Sequence, residues 1–312
     1  MSLDLKWVRR AFGRAASGYE ASAVLQHQVE SMLLERLDGL TTDATEKNPP
    51  KTSAAGQGPL YKNMPGRILD LGCGTGRAAA FIRKRYAQCD VIALDMALPM
   101  LREAKRHTGW WKPFRRVCGD ARALPIQDQS VDLLFSNLCL QWIENLPEVF
   151  AEFRRVLRPG GWLLFSSFGP DTLTELRQSW AAVDQSAHVN VFLDMHDVGD
   201  AMLTAGFRDP MLDVERFTLT YRDARQLMRE LKAIGASNAN TARRHGLTGK
   251  SRLRGMLEHY ERFRSADGLL PASYEVIFAQ AQAAELTQPR RTSDGEIASI
   301  SVDALRAQLR KK

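Results

Sequence analysis

The fold of this chain is decided by the stretch Arg67-Ile68-Leu69-Asp70-Leu71-Gly72-Cys73-Gly74-Thr75-Gly76, which is followed by Arg77-Ala78-Ala79-Ala80. The apolar residues predict a strand, the alternating glycines predict a tight turn, and the alanines open a helix. Glycine has no Cβ, so the backbone can turn sharply and approach a ligand closely. The following helix presents unpaired N–H groups and the positive end of its dipole. This pattern indicates a site for a nucleotide-type cofactor.

The spacing of the glycines separates two kinds of cofactor. The dinucleotide fingerprint is G-x-G-x-x-G, whereas the spacing here is G-x-G-x-G and Arg77 stands where that fingerprint has its third glycine. Asp70 also precedes the first glycine by two positions. In these features the stretch resembles the first motif of the class I S-adenosylmethionine-dependent methyltransferases. The resemblance disfavours a nicotinamide-linked oxidoreductase and implies that the methionine part of S-adenosylmethionine is bound by Asp70, Gly72, Gly74 and Gly76.

Further predicted strands end in polar or small residues. Asp95 closes the strand Asp90–Asp95, at the place of a ribose-hydroxyl acceptor about 20 residues past the loop. Asp120 follows the third strand and is expected to face the adenine amine. Parallel strands bring their carboxyl ends to one edge of a sheet, where ligands bind. The predicted cofactor-binding set therefore continues with Asp95, Met96, Asp120, Ala121, Asn137 and Leu138.

The composition is that of a basic globular protein. Hydrophobic residues make up 44% of the 312 residues, and 43 Lys and Arg against 36 Asp and Glu give a net charge of +7. This charge favours acidic partners. No apolar run reaches the roughly 18 residues of a membrane span, so we expect no membrane partner. The six histidines and the cysteines do not cluster at ligand spacing, so we expect no metal and a cytoplasmic protein with reduced, buried thiols at Cys73, Cys89, Cys118 and Cys139.

Patterning divides the chain into four parts. Residues 1–40 have helical periodicity, and the Pro-, Gly- and Ser-rich residues 41–65 predict a flexible linker. Strands alternate with helices over 66–286, which is typical of a parallel sheet, with a helical insertion at 223–268. The polar residues 287–312 predict a mobile tail. The expected fold is α/β and Rossmann-like, with the seven-stranded, mostly parallel sheet of class I methyltransferases and an antiparallel last strand.

The parts that flank this core resemble one particular family. Over residues 8–280 the chain is similar to the malonyl-acyl-carrier-protein O-methyltransferases of biotin synthesis. The similarity is carried by Phe12–Tyr19, Leu25-Gln26, Ser136–Trp142, Phe168–Leu173, His188-Val189, Met195–Asp200, Gly235–Asn238, Gly246–Gly249 and Pro271–Val276. The chain departs from the family in its longer 41–65 linker and in its tail. It also has Ala279-Gln280-Ala281-Gln282 where the family often has a His-Ala-Trp run.

This resemblance implies methyl transfer from S-adenosylmethionine to the free carboxylate of a malonyl thioester, carried by acyl carrier protein or coenzyme A. The methyl ester then primes pimeloyl synthesis. A malonyl carboxylate is already ionised at neutral pH, so the chemistry needs position and desolvation rather than a general base. One or two hydrogen-bond donors must compensate its burial. The candidate catalytic residues are Tyr19, Gln141, Trp142 and His188, and the alternative for each is a packing role.

The resemblance also implies an acidic carrier protein as partner. In the family the N-terminal segment is a lid over the cofactor, and basic residues on the lid and the insertion are candidates for docking: Arg14, Arg243, Arg244, Lys250 and Arg252. A solvated helix face is the alternative for each. We expect a monomer that binds no nucleic acid, since aromatic residues for base stacking are only 8% of the chain. Two alternatives stay open: another small-molecule or RNA acceptor, and a methyltransferase-fold assembly factor.

Overall fold

The N-terminal part of the chain is helical. A computed structural model describes residues 3–41, 65–109, 113–243, 246, 248–284, 290–292 and 295–297. The first helices are α1 (Leu5–Ala15), α2 (Tyr19–Ser22) and α3 (Val24–Thr41), with a 3-10 turn at Ala16–Gly18. The carboxylate of Asp4 caps α1 by accepting a 2.9 Å hydrogen bond from the Trp7 N–H. Such a cap fixes where α1 begins.

The centre of the molecule is a seven-stranded sheet. Its strands are β1 (Arg67–Leu71), β2 (Asp90–Asp95), β3 (Arg115–Cys118), β4 (Val131–Ser136), β5 (Leu157–Phe168), β6 (Phe207–Tyr221) and β7 (Leu270–Ala283). Their order is β3-β2-β1-β4-β5-β7-β6, and only β7 runs antiparallel to its neighbours. The predicted sheet with its antiparallel last strand is confirmed. The order reverses between β1 and β4, where a crevice opens at the carboxyl ends of the strands.

Helices cover both faces of this sheet. They are α4 (Arg77–Arg85), α5 (Leu98–Ala104), α6 (Leu146–Val156), α7 (Thr174–Ala181), α8 (Met195–Thr204), α9 (Ala224–Ala233) and α10 (Lys250–Tyr260). Successive side chains of a strand point to opposite faces. Accordingly Ile68 belongs to one hydrophobic cluster and Leu69 to a second. The first cluster includes Leu33 and Leu37 of α3, so this helix is part of the core.

The structure differs from the sequence-based expectations in several details. The last two strands are long, and their pairing extends from Phe207–Ala283 to Tyr221–Leu270. The described residues between α9 and α10, which lie within the predicted helical insertion, are not helical. Of the four thiols expected to be buried, only Cys73 and Cys89 are buried. Cys118 is exposed on the edge strand β3, and Cys139 is partly buried. None of the described helices is long and apolar enough to cross a membrane.

Two predicted regions fall mainly outside the described residues. The 41–65 linker is described only at its ends, and the 287–312 tail is described only at 290–292 and 295–297. Within the predicted tail, β8 (Arg290–Thr292) pairs antiparallel with β9 (Gly295–Ile297). The tail therefore contains one short ladder of paired backbone.

Candidate active site

The three loop glycines all have positive φ angles but different surroundings. Gly72, Gly74 and Gly76 have φ values of +69°, +52° and +79°. A Cβ added to Gly72 would collide with the Cys139 side chain, and one added to Gly76 would lie 2.8 Å from the Ala104 Cβ. A Cβ at Gly74 would meet no protein atom within 4 Å. Gly72 and Gly76 therefore permit close packing, whereas Gly74 borders open space where a ligand can approach the backbone.

Asp95 lies at the carboxyl end of β2 and joins the loop to the next helix. One carboxylate oxygen accepts a 2.9 Å hydrogen bond from the Gly74 N–H, and the other accepts a 2.7 Å bond from the Ala97 N–H. Burial raises the pKa of Asp95 to about 6, although these backbone hydrogen bonds lower it. Each carboxylate oxygen keeps a second lone pair that a ligand hydroxyl can use.

These residues open onto a cleft of about 800 Å³, including its mouth. Eight of the ten predicted cofactor-binding residues line it: Gly72, Gly74, Asp95, Met96, Asp120, Ala121, Asn137 and Leu138. Asp70 and Gly76 do not line it. Gly76 is turned toward α5, and Asp70 lies behind the loop with 2% of its surface exposed.

Asp70 belongs to a group of carboxylates around the loop. One of its side-chain oxygens is buried without a hydrogen-bond partner among the described residues. Burial, together with the charge of Glu30, raises the pKa of Asp70 well above its usual range. Glu20 and Glu30 also contact this loop region, since Glu20 accepts a hydrogen bond from the Thr75 hydroxyl and Glu30 is paired with Arg77 at 2.7 Å. A cationic ligand group gains electrostatic energy near this loop.

The cleft's side walls depend on residues from three segments. Asn137 accepts a 2.8 Å hydrogen bond from the Ser166 hydroxyl and donates a 3.1 Å bond to the backbone oxygen of Gln26. The edge of the sheet is thereby linked to α3.

Asp120 is paired with Arg122 at 2.6 Å. Arg122 is the only basic residue among the described residues of the lining, and this pairing neutralises its charge.

Helix α1 forms a wall of the cleft, and the residues with which it does so were missed by sequence reasoning, although the family resemblance implied a lid in this segment. Leu5, Val8 and Phe12 line the cleft from one side of α1. The residues lie at positions i, i+3 and i+7, so they share one face of the helix. The apolar periodicity of residues 5–15 predicts that one face of this helix is buried. It does not indicate which part of the protein that face covers.

Tyr19 and Trp142 lie at the cleft, whereas Gln141 does not. Burial raises the pKa of the Tyr19 hydroxyl, and the charge of Glu30 raises it further. Tyr19 therefore stays protonated at neutral pH and can donate a hydrogen bond. Trp142 packs edge-on against Phe12 with ring centres 5.3 Å apart. The Gln141 amide instead donates to the backbone oxygen of Leu138 at 2.7 Å and stabilises the turn after β4.

A second cavity adjoins the cleft at Trp142, which lines both. It has about 540 Å³ of space, including its opening. Its lining combines apolar walls with polar side chains: Gln26, Phe168, Thr172, His188, Asn190, Phe192, Ser237, Asn238 and Tyr274 are among them. The residues come from α3, β5 and the turn that follows it, the 188–192 loop, the 234–238 loop and β7. These regions meet only in the tertiary structure.

His188 lines this second cavity in a fixed orientation. Its ring stacks on Trp180 with centres 3.8 Å apart and an interplanar angle of 7°. Its Nε2 lies 2.8 Å from a carboxylate oxygen of Asp184. Stacking and pairing hold the imidazole as part of the wall. A second histidine in the segments that resemble the family, His196, is exposed at the start of α8.

The predicted docking residues fall into two groups. Arg243 is paired with Asp4 at 3.0 Å, and Arg252 lies 3.8 Å from Asp184. Arg14 and Lys250 are exposed. Arg244 lies outside the described residues. The paired arginines hold elements of the fold together, so Arg14 and Lys250 are better placed to meet a partner.

The chemistry of the cleft fits S-adenosylmethionine. Carboxylates at one end suit a ligand that carries an ammonium and a sulfonium charge, and Asp95 suits ribose hydroxyls. Apolar side chains such as Leu94, Met100 and Ile143 can cover a flat base. Because Arg122 is already paired, the described lining offers no free cation for a pyrophosphate. This donor set favours a sulfonium cofactor over a dinucleotide.

Comparison of the sequence with known proteins gives a consistent result. Residues 69–165 match a methyltransferase-domain family model. A malonyl-acyl-carrier-protein O-methyltransferase from Xylella fastidiosa strain M23 is 49% identical over 302 residues, covering 97% of this chain and 96% of the relative. One from Legionella pneumophila strain Philadelphia 1 is 36% identical over 88% of this chain and 89% of its own length. The similarity thus includes both helical flanks of the sheet.

Comparison with solved structures bears on the fold alone. The YcgJ protein from Bacillus subtilis superposes with a TM-score of 0.55 at 14% identity, covering 83% of this chain and 99% of that one. A protein described as a putative methyltransferase from Bacillus halodurans C-125 gives a TM-score of 0.53 at 16% identity, covering 81% and 99%. Both support a class I methyltransferase fold.

Proposed function

The chain belongs to the family of malonyl-acyl-carrier-protein O-methyltransferases, and we propose that it methylates the free carboxylate of malonyl-acyl-carrier protein. The product is the methyl ester that primes pimeloyl synthesis in the biotin pathway. One observation of the structure carries the proposal beyond the family's name. The cofactor cleft and a second cavity of mixed polarity meet at Trp142, so a donor and an acceptor can be held against each other.

The cofactor of this reaction is S-adenosylmethionine, which when bound supplies an electrophilic methyl group on its sulfonium sulfur. Gly74 provides the close approach of the backbone, and Asp95 accepts hydrogen bonds from the ribose. Met96, Ala121 and Leu138 enclose the adenosine part. Asp70 is assigned a supporting role behind the loop, because its side chain is buried there and does not line the cleft. Asp120, Asn137, Gly72 and Gly76 hold the shape of the cleft.

The acceptor carboxylate needs placement and dehydration. It is ionised at neutral pH, so no protein group has to remove a proton. Tyr19 donates a hydrogen bond, because its raised pKa keeps the hydroxyl protonated. The Trp142 indole closes the junction between the two cavities and excludes water. Proximity and alignment then supply most of the rate.

His188 and Gln141 support this arrangement indirectly. His188 is held by Trp180 and Asp184 and gives the second cavity a fixed polar wall. Gln141 holds the turn that carries Trp142. We assign both as positioning residues. The lid function is assigned to α1 and α2, whose side chains line the cleft. Helix α3, which follows them, is packed in the hydrophobic core.

Acyl carrier protein is the proposed form of the substrate, with the coenzyme A thioester as the alternative. The protein is proposed to act as a cytoplasmic monomer. The test is mass spectrometry of malonyl-acyl-carrier protein after incubation with this protein and S-adenosylmethionine. We expect a gain of one methyl group that mild alkaline hydrolysis removes.

Two further outcomes separate the alternatives. Growth of a biotin auxotroph that carries this chain supports the biotin pathway, whereas a protein that binds S-adenosylmethionine but leaves the malonyl thioester unchanged points to another acceptor. Failure to bind S-adenosylmethionine at all would favour an assembly role.

A further inference from the structure

Helix α1 has two chemically different faces. Leu5, Val8 and Phe12 line the cofactor cleft. The remainder of the helix carries four basic residues and no acidic residue, and all four are exposed: Lys6, Arg9, Arg10 and Arg14. We call these four residues the basic face of α1. Among the residues that the structure describes, none of the four forms an ion pair, so their charges are available to a partner.

The basic face lies close to the wall of the second cavity. Trp7 shares a side of α1 with Arg10 and Arg14, which follow it at i+3 and i+7. Its indole N–H donates a 3.1 Å hydrogen bond to the Ser237 hydroxyl, and Ser237 lines the second cavity. Arg14 and Arg243 stand over the Trp7 ring at 5.9 and 4.9 Å. Arg14 thus places a positive charge, unpaired among the described residues, next to a side chain that contacts the lining of the second cavity.

The N-terminal end of α1 is fastened to the loop that continues from Asn238, a residue that lines the second cavity. The Asp4 N–H donates a 2.8 Å hydrogen bond to the Ala239 carbonyl oxygen, and the Asp4 carboxylate is paired with Arg243. Leu3 forms a bridge with Asn240. A partner that binds the basic face therefore binds a surface with a fixed relation to both cavities.

The two faces of α1 distinguish an acidic protein from a lipid surface. A basic amphipathic helix binds membranes by inserting its apolar face. Here that face is turned inward against the cleft, so only the charged side is presented to solvent. A charged rim without apolar insertion is suited to steering an acidic protein surface.

We propose that the basic face of α1 is the docking surface for acyl carrier protein. The lid over the cofactor is then also the recognition element for the carrier, and the malonyl arm enters the second cavity beside Ser237. This proposal rests on the proposed function and names the surface that serves it. The insertion residues Lys250 and Arg252 are left outside the main contact.

The test compares two variants with the same change in charge. The first is Lys6→Gln/Arg9→Gln/Arg10→Gln. The matched control is Lys84→Gln/Arg102→Gln/Lys105→Gln, which removes exposed charges from α4 and from the α5 region. Glutamine preserves helix propensity at these sites. Affinity for S-adenosylmethionine is measured for each protein and is expected to match the wild type, which verifies that the cleft is intact.

Activity is measured with two substrates that differ only in the carrier. For malonyl-acyl-carrier protein, we expect the first variant to raise KM about tenfold at about 50 mM salt, with a smaller difference at about 300 mM because salt screens exposed charges. For malonyl-N-acetylcysteamine, which has no carrier protein, kcat/KM should stay within about twofold of the wild type. The control variant should behave as the wild type with both substrates.

Several results would overturn the docking proposal. They are an unchanged KM for the carrier-bound substrate in the first variant, an equal loss with both substrates, or an equal loss in the control variant. Sedimentation with phosphatidylglycerol vesicles that depends on the same three charges, without any effect on carrier-bound substrate, would assign the face to lipid. If the wild-type protein methylates neither substrate, the proposed function itself fails, which is a separate result.

Discussion

At the scale of single residues, the glycines of the loop have different structural roles, although they belong to one sequence motif. Gly74 borders the cleft, whereas Gly76 is packed against Ala104 and Phe114. Both have left-handed backbone conformations, so an added side chain is strained at either position. The two positions differ in the atoms that surround an added Cβ. Substitutions at Gly74 and Gly76 can therefore be compared as a matched pair.

We predict that Gly74→Ala impairs binding and Gly76→Ala impairs folding. Gly76→Ala places a Cβ 2.8 Å from the Ala104 Cβ and should lower the free energy of unfolding by about 2–4 kcal/mol. Gly74→Ala should lower it by only about 1 kcal/mol but weaken S-adenosylmethionine binding at least about tenfold. Urea denaturation and titration calorimetry measure the two effects. Wild-type affinity in Gly74→Ala would contradict the placement of the cofactor.

Asp95 gives a prediction about pH. Its pKa is raised from 3.8 to about 6, so the folded state holds this proton more tightly than the unfolded state. The contribution of Asp95 to the free energy of unfolding is therefore greatest at low pH, and it falls as the pH rises from about 4 to about 6. Relative to Asp95→Asn, the wild-type free energy of unfolding should fall by about 3 kcal/mol across this window.

The control for this measurement is a carboxylate with the opposite shift. The hydrogen bond from the Trp7 N–H, with that from Arg243, lowers the pKa of Asp4. Its stabilisation is lost as the pH falls, so the difference between the wild type and Asp4→Asn should grow with rising pH. Urea denaturation from pH about 3.5 to about 7 follows both. Parallel slopes for the two variants would refute the assignment for Asp95.

Tyr19 is expected to act in turnover rather than in cofactor binding. Tyr19→Phe removes the proposed donor to the acceptor carboxylate and should lower kcat/KM about tenfold or more, with affinity for S-adenosylmethionine within about threefold. Tyr260→Phe is the control, because it removes a buried hydroxyl that donates to the Pro271 carbonyl oxygen away from the cleft. Steady-state kinetics with malonyl-acyl-carrier protein decide the matter, and full activity in Tyr19→Phe would remove Tyr19 from the mechanism.

At the scale of elements, the contact between α1 and the end of α9 positions the lid. Gly235 follows α9 with a φ of +78°, and a Cβ there would lie 3.0 Å from the Phe12 Cα. Gly268 has nearly the same φ of +80° but no atom near its Cβ position. A substitution therefore causes the same backbone strain at both glycines, but only at Gly235 does the added Cβ also press against α1.

This contrast gives the prediction for α1. Gly235→Ala and Gly268→Ala should each lose about 1 kcal/mol from the left-handed conformation. Gly235→Ala should lose more and should also weaken S-adenosylmethionine binding, because it displaces the helix that lines the cleft. Denaturation and calorimetry are again the measurements. Equal effects on affinity in the two variants would show that α1 is not a wall of the bound state.

At the scale of the whole molecule, ligand binding and folding are linked. The cofactor binds only the folded arrangement of loop, strand ends and α1, so S-adenosylmethionine should stabilise the protein. At about 100 times its Kd, the expected gain in the free energy of unfolding is about 2.7 kcal/mol. Nicotinamide adenine dinucleotide at the same concentration should give no gain. A thermal shift assay with both ligands is sufficient, and equal stabilisation by the dinucleotide would contradict the cofactor assignment.

Much of this architecture could be predicted from the sequence, for identifiable physical reasons. Buried parallel strands are short apolar runs that end in polar residues, so β1, β2 and β4 stand out. The glycine loop is local, because φ angles and turn geometry are set within a few residues. Strand ends meet at one edge in any parallel sheet, which is why Asp95 and Asn137 could be placed together without coordinates.

Other features were decided only by the tertiary structure. The sequence by itself determined the sheet, the cofactor loop and the family, since these depend on local patterns. It could not show that Arg243 pairs with Asp4, that Gln141 turns to its own backbone, or that Trp142 joins two cavities. Such contacts join residues far apart in the chain, and an arginine, a glutamine or an amphipathic helix has many possible partners. Only the packed structure selects one of them.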